Sequence, residues 1–186
     1  MTSATSTTSG SESAVQVTSP DPAMPAMETT QVHRVYIRAS VQAVWDAITR
    51  PEWSRRYGYG GDVSYDLRPG GAFLASTSAE MRAMGTGDDA VDGEVLEANP
   101  PHRLVQTWRL VMDEGLKALG FTRLTYELDE IGGGVTRLTV THELEGKPQL
   151  ALLLSGEMES TGAGGGWPWV LSDLKSVLET GSRMAS

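Results

Sequence analysis

Gly164-Gly165-Gly166-Trp167-Pro168-Trp169-Val170-Leu171-Ser172-Asp173-Leu174-Lys175-Ser176-Val177-Leu178-Glu179 is the stretch that decides the fold. Three glycines lead to a proline in the first turn of a helix, where a missing N–H costs nothing and a fixed φ helps. Trp167, Val170, Leu171, Leu174 and Leu178 recur at helical spacing and form one apolar stripe along about three turns. Asp173, Lys175 and Glu179 lie off that stripe, and Gly181 is a natural stop. At about 1.5–3 kcal/mol per fully buried large side chain, this face needs a broad partner. The rest of the chain offers strands.

Working outward, residues 122–128 and 135–144 alternate apolar and polar positions around Ile131-Gly132-Gly133-Gly134, the clearest hairpin in the chain. Leu138, Val140, His142 and Leu144 share one face of its second strand. Further strands are read over 63–67, 71–78, 91–97 and 104–112. The first two are joined by Arg68-Pro69-Gly70-Gly71, in the residue order of a type II turn. Residues 80–89 and 113–120 read as connections, and 149–158 as a short helix or lid. Val35, Ile37 and Ala39 mark an opening strand over 32–39, with His33 on the Val35 face near its end. Ser40 then caps a helix carrying Val41, Val44, Trp45 and Ile48. Pro51 opens a second helical turn reaching Tyr57 and carrying Trp53, before the loop Tyr57-Gly58-Tyr59-Gly60-Gly61. Antiparallel strands with segregated helices define an α+β domain over 32–181. Residues 1–31, rich in Ser, Thr and Pro, read as a disordered tail.

Composition narrows the function classes. The chain has 186 residues, 39% of them hydrophobic, and a net charge of −9. That balance argues against a nucleic-acid partner held by phosphate contacts. With no cysteine and three histidines, neither a thiolate centre nor a conventional transition-metal site is expected. Asp88, Asp89 and Asp92 read as a solvated acidic loop. The glycines at 162–166 lack a phosphate-loop Lys-Ser/Thr and read as a hinge. No apolar run is long enough to span a membrane, and the N-terminus carries no secretory pattern, so a cytoplasmic location is expected.

Several motifs occur together in order: Arg38-Ala39-Ser40 running to Val44-Trp45-Asp46-Ala47-Ile48, and Arg68-Pro69-Gly70-Gly71. Gly93-Glu94-Val95-Leu96-Glu97 then leads to Pro100-Pro101-His102-Arg103-Leu104 and Thr107-Trp108-Arg109, followed by Thr139-Val140-Thr141-His142-Glu143 and Gly166-Trp167. This pattern resembles the START-like (SRPBCC) superfamily, in particular its activator of Hsp-90 ATPase homologue branch. The resemblance implies a helix-grip fold: a curved antiparallel sheet of six or seven strands holding the C-terminal helix, with a cavity between them. The chain departs from the pattern at Val41, where proline is common, and at Arg56-Tyr57, where tryptophan is.

Residues expected to line such a cavity are Trp53, Tyr57, Tyr59, Trp108, Tyr126, His142 and Met158, with Trp167, Val170 and Leu174 as its helical wall. The same aromatic and aliphatic positions also describe a plain packed core. His142, on an apolar strand face, is either a ligand contact or general acid/base, or a core histidine bonded to the protein itself. The expected function is binding of an apolar, aromatic or lipid-like small molecule, with no cofactor. A protein-interaction or co-chaperone-like module is the alternative, and a cyclase- or dehydratase-like enzyme using His142, Tyr126 or Tyr59 is the second.

Overall fold

The computed structural model describes residues 30–185; the tail read over 1–31 lies almost wholly outside them. In chain order the elements are β1 (Thr30–Ile37), α1 (Val41–Thr49), α2 (Pro51–Ser54), β2 (Val63–Tyr65), β3 (Ala72–Ser76), α3 (Ala79–Ala83), β4 (Asp89–Asn99) and β5 (Arg103–Leu110). They continue with α4 (Glu114–Ala118), β6 (Thr122–Glu130), β7 (Thr136–Glu143), α5 (Pro148–Ser155), a 3-10 turn at Glu159–Thr161, and α6 (Gly166–Thr180). The strands form one antiparallel sheet in the order β1-β7-β6-β5-β4-β3-β2.

The turns fold as their residues dictate. Gly71 N–H bonds the Arg68 carbonyl at 2.8 Å, and Gly70 takes φ 80°, the positive value required at the third position of a type II turn. At the β6–β7 hairpin Gly132, Gly133 and Gly134 all have positive φ, and Glu130 pairs with Thr136 directly beyond the loop. Register shifts interrupt β4 against β5 between Val95 and Glu97, and β3 against β4 between Ala75 and Ser76. Such bulges bend and twist a sheet. The sheet thus curves around α6 in a helix-grip fold, and Trp167, Leu171 and Leu174 join the inward strand residues in one core.

Two short helices fall in stretches read as connections. Both start on a capping side chain: Ser78 Oγ accepts from Met81 N–H and Asp113 Oδ1 from Leu116 N–H. Each spans only five residues, too short to show a helical apolar period. The second helical turn is also shorter than read: α2 stops at Ser54 and the chain reaches Tyr57 through turns. The segment read as 149–158 is a helix over Pro148–Ser155, ended by left-handed Gly156.

On α6 the structure departs from the simple stripe. Asp173, off the apolar face in sequence, is fully buried. Its carboxylate accepts from Gly58 N–H at 2.8 Å, Met184 N–H at 2.6 Å and Arg183 Nε at 3.2 Å. The chain following α6 and the loop following α2 fold over this side of the helix, and their donors satisfy the charge they bury. Further along, Glu179 accepts from Arg38 N–H, and Lys175 donates to Glu179 and to the Tyr36 carbonyl. One end of α6 is thereby tied to β1.

Among the described residues no helix is long and apolar enough to cross a membrane.

Replacing Asp173 with Ala strands these donors and is expected to destabilise the domain by about 2–4 kcal/mol. Exposed Ser172→Ala should stay within about 0.5 kcal/mol. Urea unfolding of the two variants beside the parent checks the contrast.

Candidate functional site: a cavity between sheet and helix

Strand alternation places Tyr65, Phe73, Trp108, Leu110 and Tyr126 on the inner side of the sheet, opposite Trp167, Val170, Leu171 and Leu174 of α6. Between them lies a cavity of about 300 Å³, at the lower end of the range for small-molecule sites. The loop at residues 57–61, Leu153 and Leu154 of α5, and Met81 of α3 complete its wall. Tyr59, half exposed, marks its solvent edge.

Of the residues singled out from sequence, Tyr57, Tyr59, Trp108, Tyr126, Trp167, Val170 and Leu174 stand on this wall, whereas Trp53, His142 and Met158 do not. Trp53 packs at the edge of the core with the Arg56 guanidinium 4.5 Å above its ring. Met158 falls beyond the end of α5, next to the 3-10 turn, because Gly156 turns the chain away first. His142 lies behind the wall, edge-on to Trp108 at 4.9 Å between ring centroids.

The bonds of His142 define its state. The Trp167 indole N–H, which can only donate, reaches His142 Nδ1 at 3.1 Å. Nδ1 is therefore the acceptor and Nε2 carries the proton. Nε2 donates to Thr122 Oγ1 at 2.8 Å, and that hydroxyl donates to the Trp108 carbonyl at 2.8 Å. Both ring nitrogens are used by the protein. Burial, with a smaller contribution from His33, pulls the imidazole from 6.5 down to about 3.

The aromatic wall is ordered by stacking. Tyr65 lies on Phe73 with centroids 4.5 Å apart and planes at 23°. Tyr126 meets Trp167 edge-on at 6.2 Å. Burial drives the Tyr57 and Tyr126 phenols well above their ordinary range, so both stay protonated. The Tyr57 hydroxyl donates to the Ala47 carbonyl, and the Tyr59 hydroxyl accepts from Gly166 N–H at 3.1 Å.

Gly164, Gly165 and Gly166, at the start of α6, are close-packed rather than loosely hinged. Gly164 has φ 81°, and a Cβ there would stand 2.7 Å from the Tyr59 hydroxyl; at Gly166, with φ 58°, one would stand 2.3 Å from the Leu154 carbonyl oxygen. These positions need glycine for backbone conformation and for space. Tyr65 and Phe73 were absent from the sequence-based wall, although they flank the Arg68–Gly71 turn at positions of one face. Gln106, on the inward series of β5 between Leu104 and Trp108, is fully buried behind the wall.

The fold agrees with the comparisons. The chain belongs to the family described as Activator of Hsp90 ATPase homolog 1-like protein, whose model matches residues 38–179. No curated protein matches it in sequence. Similar solved structures include the Aha1 dimer from Colwellia psychrerythraea, at 19% identity and TM-score 0.56, aligned over 82% of this chain and 97% of that one. SSP2350 from Staphylococcus saprophyticus has 17% identity and TM-score 0.59, over 84% and 96%. DynU16, of the dynemicin biosynthetic locus, has 24% identity and TM-score 0.59, over 84% of this chain and 49% of its own. At these identities the shared property is the fold.

His142 should remain neutral and Nε2-protonated in the folded protein at pH 5, as read by ¹⁵N chemical shifts of the ring. The folded ring protonates only near pH 3 and the unfolded one near 6.5, so the unfolded chain binds the extra proton between those values. Its contribution to stability is complete above pH 6.5 and declines as pH falls towards 3, by at most about 1.4 kcal/mol per pH unit. A ring titrating near 6.5 in the folded state would contradict this arrangement.

Proposed function

We propose that the domain binds a small, largely apolar molecule in the space between α6 and the sheet. The observation that carries this reading is the cavity itself: about 300 Å³ of space walled mainly by aromatic and aliphatic side chains. Apolar walls favour ligand surface withdrawn from water, and cavity shape would do most of the selection. DynU16's place in a biosynthetic locus supports a small-molecule role by likeness of fold only.

A second reading is a protein-interaction role, favoured by the family's description as activators of the Hsp90 ATPase. That role needs an outer surface rather than the cavity, so the two readings are separable. For an enzyme of the cyclase or dehydratase kind, His142 is a poor base, because both its nitrogens are engaged and it stands off the cavity wall.

Titration of the protein with 1-aminoanthracene, followed by dye fluorescence, tests the main reading. The dye should bind saturably. Ala75→Phe, which fills part of the wall, should weaken it about tenfold or more while leaving cooperative unfolding in place. Equal dye binding by the parent and Ala75→Phe, or no binding of the dye or of a broad panel of aromatic ligands, would overturn it.

A further inference from the structure

The loop between α2 and β2 is pinned at two points, with its tip between them. Gly58 is held from the helix side: its N–H donates to the fully buried Asp173 carboxylate at 2.8 Å, and its carbonyl accepts from the Arg183 guanidinium. Gly61 lies against β3, where a Cβ would stand 1.9 Å from the Ser76 carbonyl oxygen. Tyr59 and Gly60 project between these anchors. Gly58 and Gly60 take φ of 60° and 74°, and Gly60 N–H bonds the Tyr57 carbonyl at 3.1 Å, so Tyr59 stands on the crest of a tight turn. Its side chain crosses to the segment entering α6, where the hydroxyl accepts from Gly166 N–H at 3.1 Å. Tyr59, Ala163 and Gly166 all line the cavity, yet Tyr59 is 47% exposed. This one residue stands between the cavity and water.

We propose that Tyr59 is the gate of the cavity: its ring swings away from Gly166 to admit and release the ligand, and its bond to the Gly166 N–H holds the opening shut in between. The gate rests on the ligand-binding reading above and adds the route by which that site is filled. The two sides of the bond differ in freedom. On the helix side a Cβ at Gly164 or Gly166 would collide with the Tyr59 hydroxyl or the Leu154 carbonyl, and Trp167, the next residue, is fixed by His142. On the loop side only the Tyr59 side chain has to turn, because the anchors at Gly58 and Gly61 stay in place. A hydrogen bond at a half-exposed rim costs little to open, since water takes over both partners, whereas one to a buried carboxylate does not open so readily. The movement is confined to one side chain. Loss of its bond populates the open form of the empty and the occupied protein alike, so entry and exit speed up by the same factor.

Stopped-flow mixing of the full chain with 1-aminoanthracene, and dilution of the complex, give the two rate constants. Tyr59→Phe keeps the ring and removes the bond. Its association and dissociation rates should both rise by about fivefold, the factor one such hydrogen bond contributes. Ser172→Ala, exposed on α6, should change neither. Unchanged rates in Tyr59→Phe overturn the gate and leave the cavity reading intact. Faster dissociation alone makes the hydroxyl a ligand contact and also overturns the gate. No binding by the parent, of the dye or of a broad panel of aromatic ligands, overturns both. A second readout needs no ligand. In amide hydrogen exchange the Gly166 N–H should exchange through local opening, about tenfold or more faster than the Gly58 N–H, which waits on release from Asp173. Equal protection of the two amides would overturn the gate.

Discussion

The hydrogen bond from the Trp167 indole to His142 sets where the long helix begins against the sheet. It is buried, and it continues through Thr122 to the Trp108 carbonyl, so α6, β7, β6 and β5 are joined by one directional chain. Hydrophobic burial alone would allow α6 to slide or rotate over an apolar floor, because that attraction has no direction. A donor-only indole meeting a single ring nitrogen does not. At the far end of α6, Lys175 and Glu179 bond to the backbone of β1 and the residue after it. Held at both ends, the helix spans the concave face without needing side chains to fill all the space beneath it.

Behind that space, near Trp167, the polar atoms are used up by the protein, and His142 is a structural strut. Partner counts, rather than chemical reactivity in the abstract, identify it as one.

Much of this was legible in the sequence. The period of α6, the glycine hairpin of β6 and β7, the type II turn and the alternation of the strands each follow from local rules that tertiary packing left undisturbed. The aromatic wall followed from the same alternation for Trp108 and Tyr126, and from helical spacing for Trp167, Val170 and Leu174. Asp173 was illegible, because a charged residue off the apolar stripe normally faces water. Its burial depends on donors from Gly58 and Met184, whose approach is set by loops and not by α6. Trp53 was misplaced because apolarity indicates burial but not which side of a wall a ring occupies. Gln106 was visible as a polar residue between Leu104 and Trp108, but only the three-dimensional arrangement shows that it faces the Tyr65 hydroxyl.

The pairing of β1 with β7 has a consequence for how the chain is made. β1 sits at the sheet edge beside β7, and the Thr136 hydroxyl donates to the Ala39 carbonyl from 97 positions away. During synthesis, β1 and the apolar side of α1 emerge long before the strand that receives them, by about 5–20 s at ordinary elongation rates. β2 to β5 can pair in succession as they appear, whereas the first strand waits for the last. The nascent chain therefore carries Ile37, Val44 and Trp45, all buried in the finished domain, without their final cover through most of translation. That interval is when a ribosome-associated chaperone has most to offer this fold.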